Sequence, residues 1–159
     1  MEIEFDVKIN ANILYDYMLQ HTYSRLPGLM GTLVGVLLLF LFVNNRQPLI
    51  LLFALVVLFY LPWSLFLKAA AQAKGNPAFQ KPLHYKLTEE GIEVSQDDTM
   101  EKMGWENMVK AISTPKSIVV YTTAVNACIF PKKDMGEGKM KAIEIISTHM
   151  PPKKVKIRA

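Results

Sequence analysis

Two uncharged apolar runs, 26–43 and 49–67, lie five residues apart and decide most of what this chain can become. They hold eighteen and nineteen residues. As helices they rise about 27 Å and about 29 Å at about 1.5 Å per residue, against a bilayer hydrocarbon core of about 30 Å. Neither run carries the polar stripe that a globular helix turns to water. A chain of 159 residues leaves too little soluble sequence to wrap both. The pair therefore predicts a two-helix transmembrane hairpin over 26–67, turning through Asn44, Asn45, Arg46, Gln47 and Pro48.

The flanks refine this expectation. Glu2, Glu4, Asp6 and Asp16 precede the first run, so segment 1–25 reads as part of the mature protein and not as a secretory leader. Arg25 stands before the first span and Lys68, Lys74 and Lys81 follow the second, while the turn holds only Arg46; the positive-inside bias puts both termini in the cytosol. Tyr23, Tyr60 and Trp63 read as interface anchors. Within the first span, Gly28, Gly31 and Gly35 are candidate helix-packing positions. The Gly31-x-x-x-Gly35 spacing places two bare patches one turn apart, for the other helix of the hairpin near Ala54 or for a second chain. Neither span contains an ionisable residue, so no ion path through the hairpin is indicated.

Outside the spans the apolar period changes. Ile3, Phe5, Val7 and Ile9 alternate with polar residues at the period of a half-wet strand. A helix then runs to about Ser24, capped by Asn10 or Asn12. After a linker over 68–82, rich in Ala, Gln, Lys, Gly and Pro, short strands follow between turn residues at 84–88, 92–96, 99–105, 108–113, 117–123 and 124–131. A loop at 134–138 leads to a helix over 139–150 with Met140, Ile143, Ile146 and Met150 on its apolar face.

The fold class is thus an α+β membrane protein. Its hairpin is inserted in, or precedes, an antiparallel β domain over 83–150, followed by a basic tail over 151–159. Seven strands and a last amphipathic helix match the inventory of a pleckstrin-homology-like barrel with a capping helix; an open antiparallel sheet packed on one helix is the alternative. Whether strand 2–9 joins the later strands is left open by the sequence.

Several stretches carry a family resemblance: the N-terminal strand and Tyr-containing helix, the double span, Leu87-Thr88-Glu89-Glu90-Gly91-Ile92, Trp105 with Met108-Val109, and Ile129-Phe130-Pro131-Lys132-Lys133. In these the chain is similar to the YcxB-like family of small bacterial membrane proteins. The resemblance implies this architecture and a bacterial cytoplasmic membrane location, and it transfers no catalytic residue.

The chemistry of the side chains points away from catalysis. Cys128, the only cysteine, sits in the apolar stretch Ala127-Cys128-Ile129-Phe130 and reads as a small buried hydrophobe. His21, His84 and His149 are scattered, and no paired metal-ligand spacing or phosphate-binding glycine loop occurs. Glu89, Glu90, Asp97, Asp98 and Glu101 fall in turns or on wet strand positions. No catalytic, cofactor or metal residues are assigned and no small-molecule substrate is identified. Trp105 is a core residue or the wall of a groove.

Charge gives the best functional hint. Residues 1–130 carry ten Lys/Arg against eleven Asp/Glu, whereas 131–159 carry eight against three. Arg25, Lys68, Lys153, Lys154, Lys156 and Arg158 are candidate lipid contacts, each cation near an anionic leaflet contributing about 1 kcal/mol. Without interleaved aromatics or a reader fold, the basic stretch does not point to nucleic acid. The expected function is a non-enzymatic, membrane-anchored interaction module whose partners are the lipid bilayer and a membrane protein or a second copy. The alternative is an accessory or regulatory subunit of a transporter or envelope enzyme complex.

Overall fold

The strand before the apolar runs pairs with the first strand after them. In the computed structural model, which describes residues 1–157, β1 (Ile3–Val7) lies antiparallel to β2 (Leu83–Leu87), with Phe5 opposite Tyr85. Everything between them is helical or turn. Helix α1 (Ala11–Tyr23) starts at Asn10, whose side chain accepts from the Ile13 amide at 3.1 Å, a standard N-cap. Helices α2 (Leu26–Asn45) and α3 (Pro48–Gly75) form the hairpin.

Only Arg46 and Gln47 lie between α2 and α3. Asn44 and Asn45 bond back to the carbonyls of Phe40 and Leu41 at 3.2 and 3.1 Å, which satisfies acceptors at the helix end. Arg46 takes a left-handed φ of 56°, and Pro48 opens α3, where its missing N–H is harmless. Past the apolar run, α3 continues to Gly75 and so occupies much of the stretch read from composition as a linker. The reason is local: 69–74 is rich in strong helix formers, and Ala69 is fully buried against the domain core.

The remaining elements are β3 (Gly91–Gln96), β4 (Thr99–Gly104), β5 (Lys110–Ser113), β6 (Ser117–Tyr121), β7 (Ala127–Pro131), α4 (Lys132–Met135), α5 (Lys139–His149) and β8 (Val155–Lys156). Hydrogen bonding sorts the strands into two four-stranded sheets, β1-β2-β3-β4 and β7-β6-β5-β8. Among the described residues no ladder joins them into a closed barrel, so the α+β class holds while the single barrel does not. The sheets meet through aromatic rings. Phe130 on β7 packs edge-on against Phe5 and Tyr85, with ring centroids 5.5 and 5.0 Å away, and is fully buried.

Three local expectations change. The stretch 134–138 holds the end of α4 and a short 3-10 turn in place of a loop. On α5 the buried positions are Ala142, Ile145 and Ile146, with Met150 just beyond; Met140 points out to solvent because the buried face is rotated from the one its spacing suggested. Within the basic tail a 3-10 turn over Pro152–Lys154 leads into an eighth strand, β8, which pairs parallel with β5. Val155 and Ile157 pack on the core, and this apolar pair at a period of two draws the tail into the sheet.

Candidate functional site

The hairpin turns large apolar side chains outward on all sides. Phe40, Phe53, Phe59 and Trp63 are 61–66 % exposed, and within α2 only Gly28 and Gly35 are buried. Both helices are long and apolar enough to cross a membrane. The glycines divide by role. A Cβ on Gly35 would strike Leu58 of α3, and one on Gly28 would strike the Thr22 carbonyl, so both sit at close helix contacts. A Cβ on Gly31 would meet nothing within 4 Å, so Gly31 and Gly35 do not act as one packed patch within the chain.

Helix α1 braces the hairpin against the second sheet. Tyr15 meets Phe66 of α3 edge-on at 5.7 Å. From the same helix, the buried Asp16 accepts from Thr114 Oγ1 at 2.5 Å and from the Lys116 amide at 3.3 Å. His21 Nδ1 lies 3.2 Å from the Tyr121 hydroxyl, and Tyr17 donates to the Val125 carbonyl at 3.1 Å. Arg25, at the start of α2, donates to the Ala124 carbonyl at 2.6 Å. The second sheet is thereby fixed at the level where the apolar helices begin.

At that level opens a cleft of about 930 Å³ beside β5, rimmed on one side by Gln20 and Ser24 of the α1 end. Its cations are Lys110, Lys132, Lys153, Lys154 and Lys156, and no Asp or Glu lines it among the described residues. Two ammonium groups are held by carbonyls: Lys132 donates to Thr114 O at 2.6 Å and Lys154 to Met108 O at 3.0 Å. Lys110 sits over the Tyr121 ring at 4.5 Å, a cation–π contact. Lys153 and Lys156 are exposed. Beside the cleft, burial first and then the positive charges of Arg25 and Lys110 hold His21 below its ordinary pKa.

Of the residues singled out from charge, the structure brings Lys153, Lys154 and Lys156 together. Arg25 is engaged with the β6–β7 loop, Lys68 is exposed on α3 away from the cleft lining, and Arg158 lies outside the described residues. Lys132 belongs to the basic stretch 131–159 and reaches the cleft from the start of α4, whereas Lys110 carries no sequence signal and comes beside the tail only through the pairing of β8 with β5. Trp105 is buried, donates Nε1–H to the Thr88 carbonyl at 3.0 Å and stacks on His149 at 5.7 Å, walling a shallow depression with Glu89, Glu90 and Glu106. Cys128 is buried, and burial pushes its thiol up to about 12. Among the described residues no three His, Cys, Asp or Glu side chains group as metal ligands.

A family model described as YcxB-like protein matches residues 87–144. That segment is YcxB-like. No curated protein and no solved structure matches the chain. The YcxB-like segment holds β3 to β7, α4 and half of α5, and it contributes Lys110 and Lys132 to the cleft. The hairpin, α1 and β8 fall outside the matched residues. The cleft is therefore built where the YcxB-like segment meets the tail and the helix that leads into the hairpin.

Proposed function

We propose that this chain is a non-enzymatic module anchored in the bacterial cytoplasmic membrane by α2 and α3, with both termini and the two-sheet domain on the cytosolic side. The observation that carries the reading is the outward apolar surface of the hairpin, since a soluble protein does not sustain an apolar face of that extent in water. The bracing of the second sheet by α1 supports a domain held at the membrane surface rather than swinging on a tether. Two sheets followed by a last helix, α5, whose Ala142, Ile145 and Ile146 lie in the shared core, support a pleckstrin-homology-like domain, with the hairpin inserted after its first strand. Such a domain offers strand edges and a basic face to lipid or protein partners.

The test is cysteine accessibility in intact cells on a Cys128→Ser background. Gln47→Cys, in the hairpin turn, is expected to react with an impermeant maleimide from outside, and Lys141→Cys, on α5, only after lysis. Labelling in the reverse pattern overturns the orientation. Release of the protein by alkaline carbonate overturns the membrane anchor itself.

A second reading, an accessory or regulatory subunit of a membrane complex, is favoured by Gly31, whose bare face meets no other atom of this chain within 4 Å. Under that reading Gly31→Leu abolishes co-purification of a partner while leaving the hairpin intact.

A further inference from the structure

We propose that the lysine-lined cleft beside β5 is a binding site for the phosphate of an anionic lipid headgroup. Its ligand source rests on the membrane reading above. Five lysines line one concavity that no carboxylate lines, and although Lys154 also borders the depression that holds Glu89, Glu90 and Glu106, the repulsion among the others is relieved by an anion from outside the chain. Around the first sheet Lys81, Lys86 and Lys102 each meet a carboxylate within 3.1 Å, whereas among the described residues no cleft lysine forms an ion pair. The positions are also partly fixed in advance. The carbonyls of Thr114 and Met108 hold Lys132 and Lys154, and the Tyr121 ring seats Lys110, which lowers the ordering entropy that binding must overcome. Lys153 and Lys156 remain exposed to supply further donors.

Place selects the ligand. The rim residue Ser24 is two positions before Leu26, the first residue of α2, so the cleft opens at the level of the headgroups when α2 spans a bilayer. A phosphate monoester such as that of phosphatidic acid fits the chemistry best, because its charge is compact and its oxygens accept several charge-assisted hydrogen bonds. A phosphodiester covered by choline presents a cation to the same lysines and is disfavoured.

The full chain in a maltoside detergent is titrated separately with phosphatidic acid, phosphatidylcholine and inorganic phosphate, with native mass spectrometry counting bound molecules. Wild type is expected to hold one phosphatidic acid saturably, and Lys153→Ala/Lys156→Ala to weaken it about tenfold or more. Lys153→Arg/Lys156→Arg, which keeps the charge, is expected to retain binding, and an unchanged or raised thermal midpoint of the alanine variant shows that its loss of binding is not misfolding; loss of binding in the arginine variant overturns the charge reading. Equal binding of phosphatidic acid by wild type and the alanine variant, or equal binding of phosphatidylcholine and phosphatidic acid, overturns the site. Inorganic phosphate binding as tightly as phosphatidic acid overturns the lipid as its source. Alkaline extraction separates the two readings: a chain that stays in the membrane yet binds no phosphatidic acid defeats only the cleft, and one that leaves the membrane defeats the anchor.

Discussion

The lysines around the two sheets are used in opposite ways. Around the first sheet, Lys86 bridges Glu2 and Glu4 at 3.1 and 2.7 Å, Lys102 bridges Glu90 and Glu93 at 2.6 and 3.1 Å, and Lys81 meets Asp97 at 2.7 Å. These partners hold Glu4 and Glu90 below the usual carboxylate range and raise Lys86 to about 12. Around the second sheet the cleft lysines meet carbonyls, an aromatic ring or solvent, and Lys133 meets only its chain neighbour Asp134, at 3.9 Å. The first arrangement neutralises itself and leaves little field outside. The second keeps a standing positive potential, at the end of the domain nearest the hairpin. A net charge for the whole chain conceals this division.

The largest effect is expected where the two sheets join. Phe130→Ala removes a fully buried ring that touches Phe5 and Tyr85 of the first sheet, and a cavity there costs about 3–5 kcal/mol, enough to unfold a small domain. Chemical denaturation followed by Trp105 fluorescence, on a Trp63→Phe background, measures it. Loss of the second sheet alone, with the first still protected in hydrogen exchange, would show that the sheets are separate cooperative units and break the comparison at its base.

Next comes the tie between α1 and the second sheet. Asp16→Ala deletes an acceptor used by Thr114 and Lys116, and hydrogen bonds to a charged group contribute about 1.5–3 kcal/mol. Because the hydrogen bonds Asp16 accepts come from the β5–β6 turn, amide exchange should quicken in residues 118–121 before residues 92–94. Equal acceleration in both sheets sinks the idea that α1 braces one of them selectively.

A smaller effect with a diagnostic sign follows from the lysines. Lys86→Ala/Lys102→Ala breaks exposed pairs and should lower the thermal midpoint slightly without touching phosphatidic acid affinity. Lys153→Ala/Lys156→Ala relieves like-charge crowding and should leave the midpoint unchanged or raise it, while affinity falls. If both pairs lower the midpoint alike, the charges of the second sheet are structural and the distinction disappears.

How much of this was legible in the sequence follows from how local each signal is. The hairpin was readable because apolar length is a one-dimensional property, and Asn10, Asp97-Asp98 and Gly91 mark their cap and turns from local chemistry. The pairing of β1 with β2 joins residues about eighty positions apart across the hairpin, and nothing local encodes it. Strand β8 escaped notice because two residues, Val155 and Lys156, are too short for a period to be counted. The cleft was partly legible: Lys132, Lys153, Lys154 and Lys156 belong to the basic stretch 131–159, whereas Lys110 becomes their neighbour only through the β5–β8 ladder. Met140 misled because a three-to-four spacing fixes a helix face only to within about one residue, and α5 is buried on the face led by Ala142 and Ile145.

The smallest expected effect is a titration that reads the cleft's potential from inside. His21 sits below its ordinary pKa through burial and then through the fields of Arg25 and Lys110. A histidine depressed in the folded state leaves stability whole above the unfolded value of about 6.5 and erodes it as the pH falls toward the folded value, since the unfolded chain takes up the proton first. Acidification through that window should therefore loosen α1 from Tyr121. An anion seated beside Lys110 opposes that lysine's field, so binding should move the His21 pKa back up, as measured by NMR titration in a His84→Gln/His149→Gln background. If phosphatidic acid binds and the His21 titration does not move, the headgroup lies at the Lys153 and Lys156 end of the cleft. The preorganised lysines, Lys110 among them, then serve the fold while Lys153 and Lys156 serve the ligand, which is a sharper division of labour than the one between the two sheets.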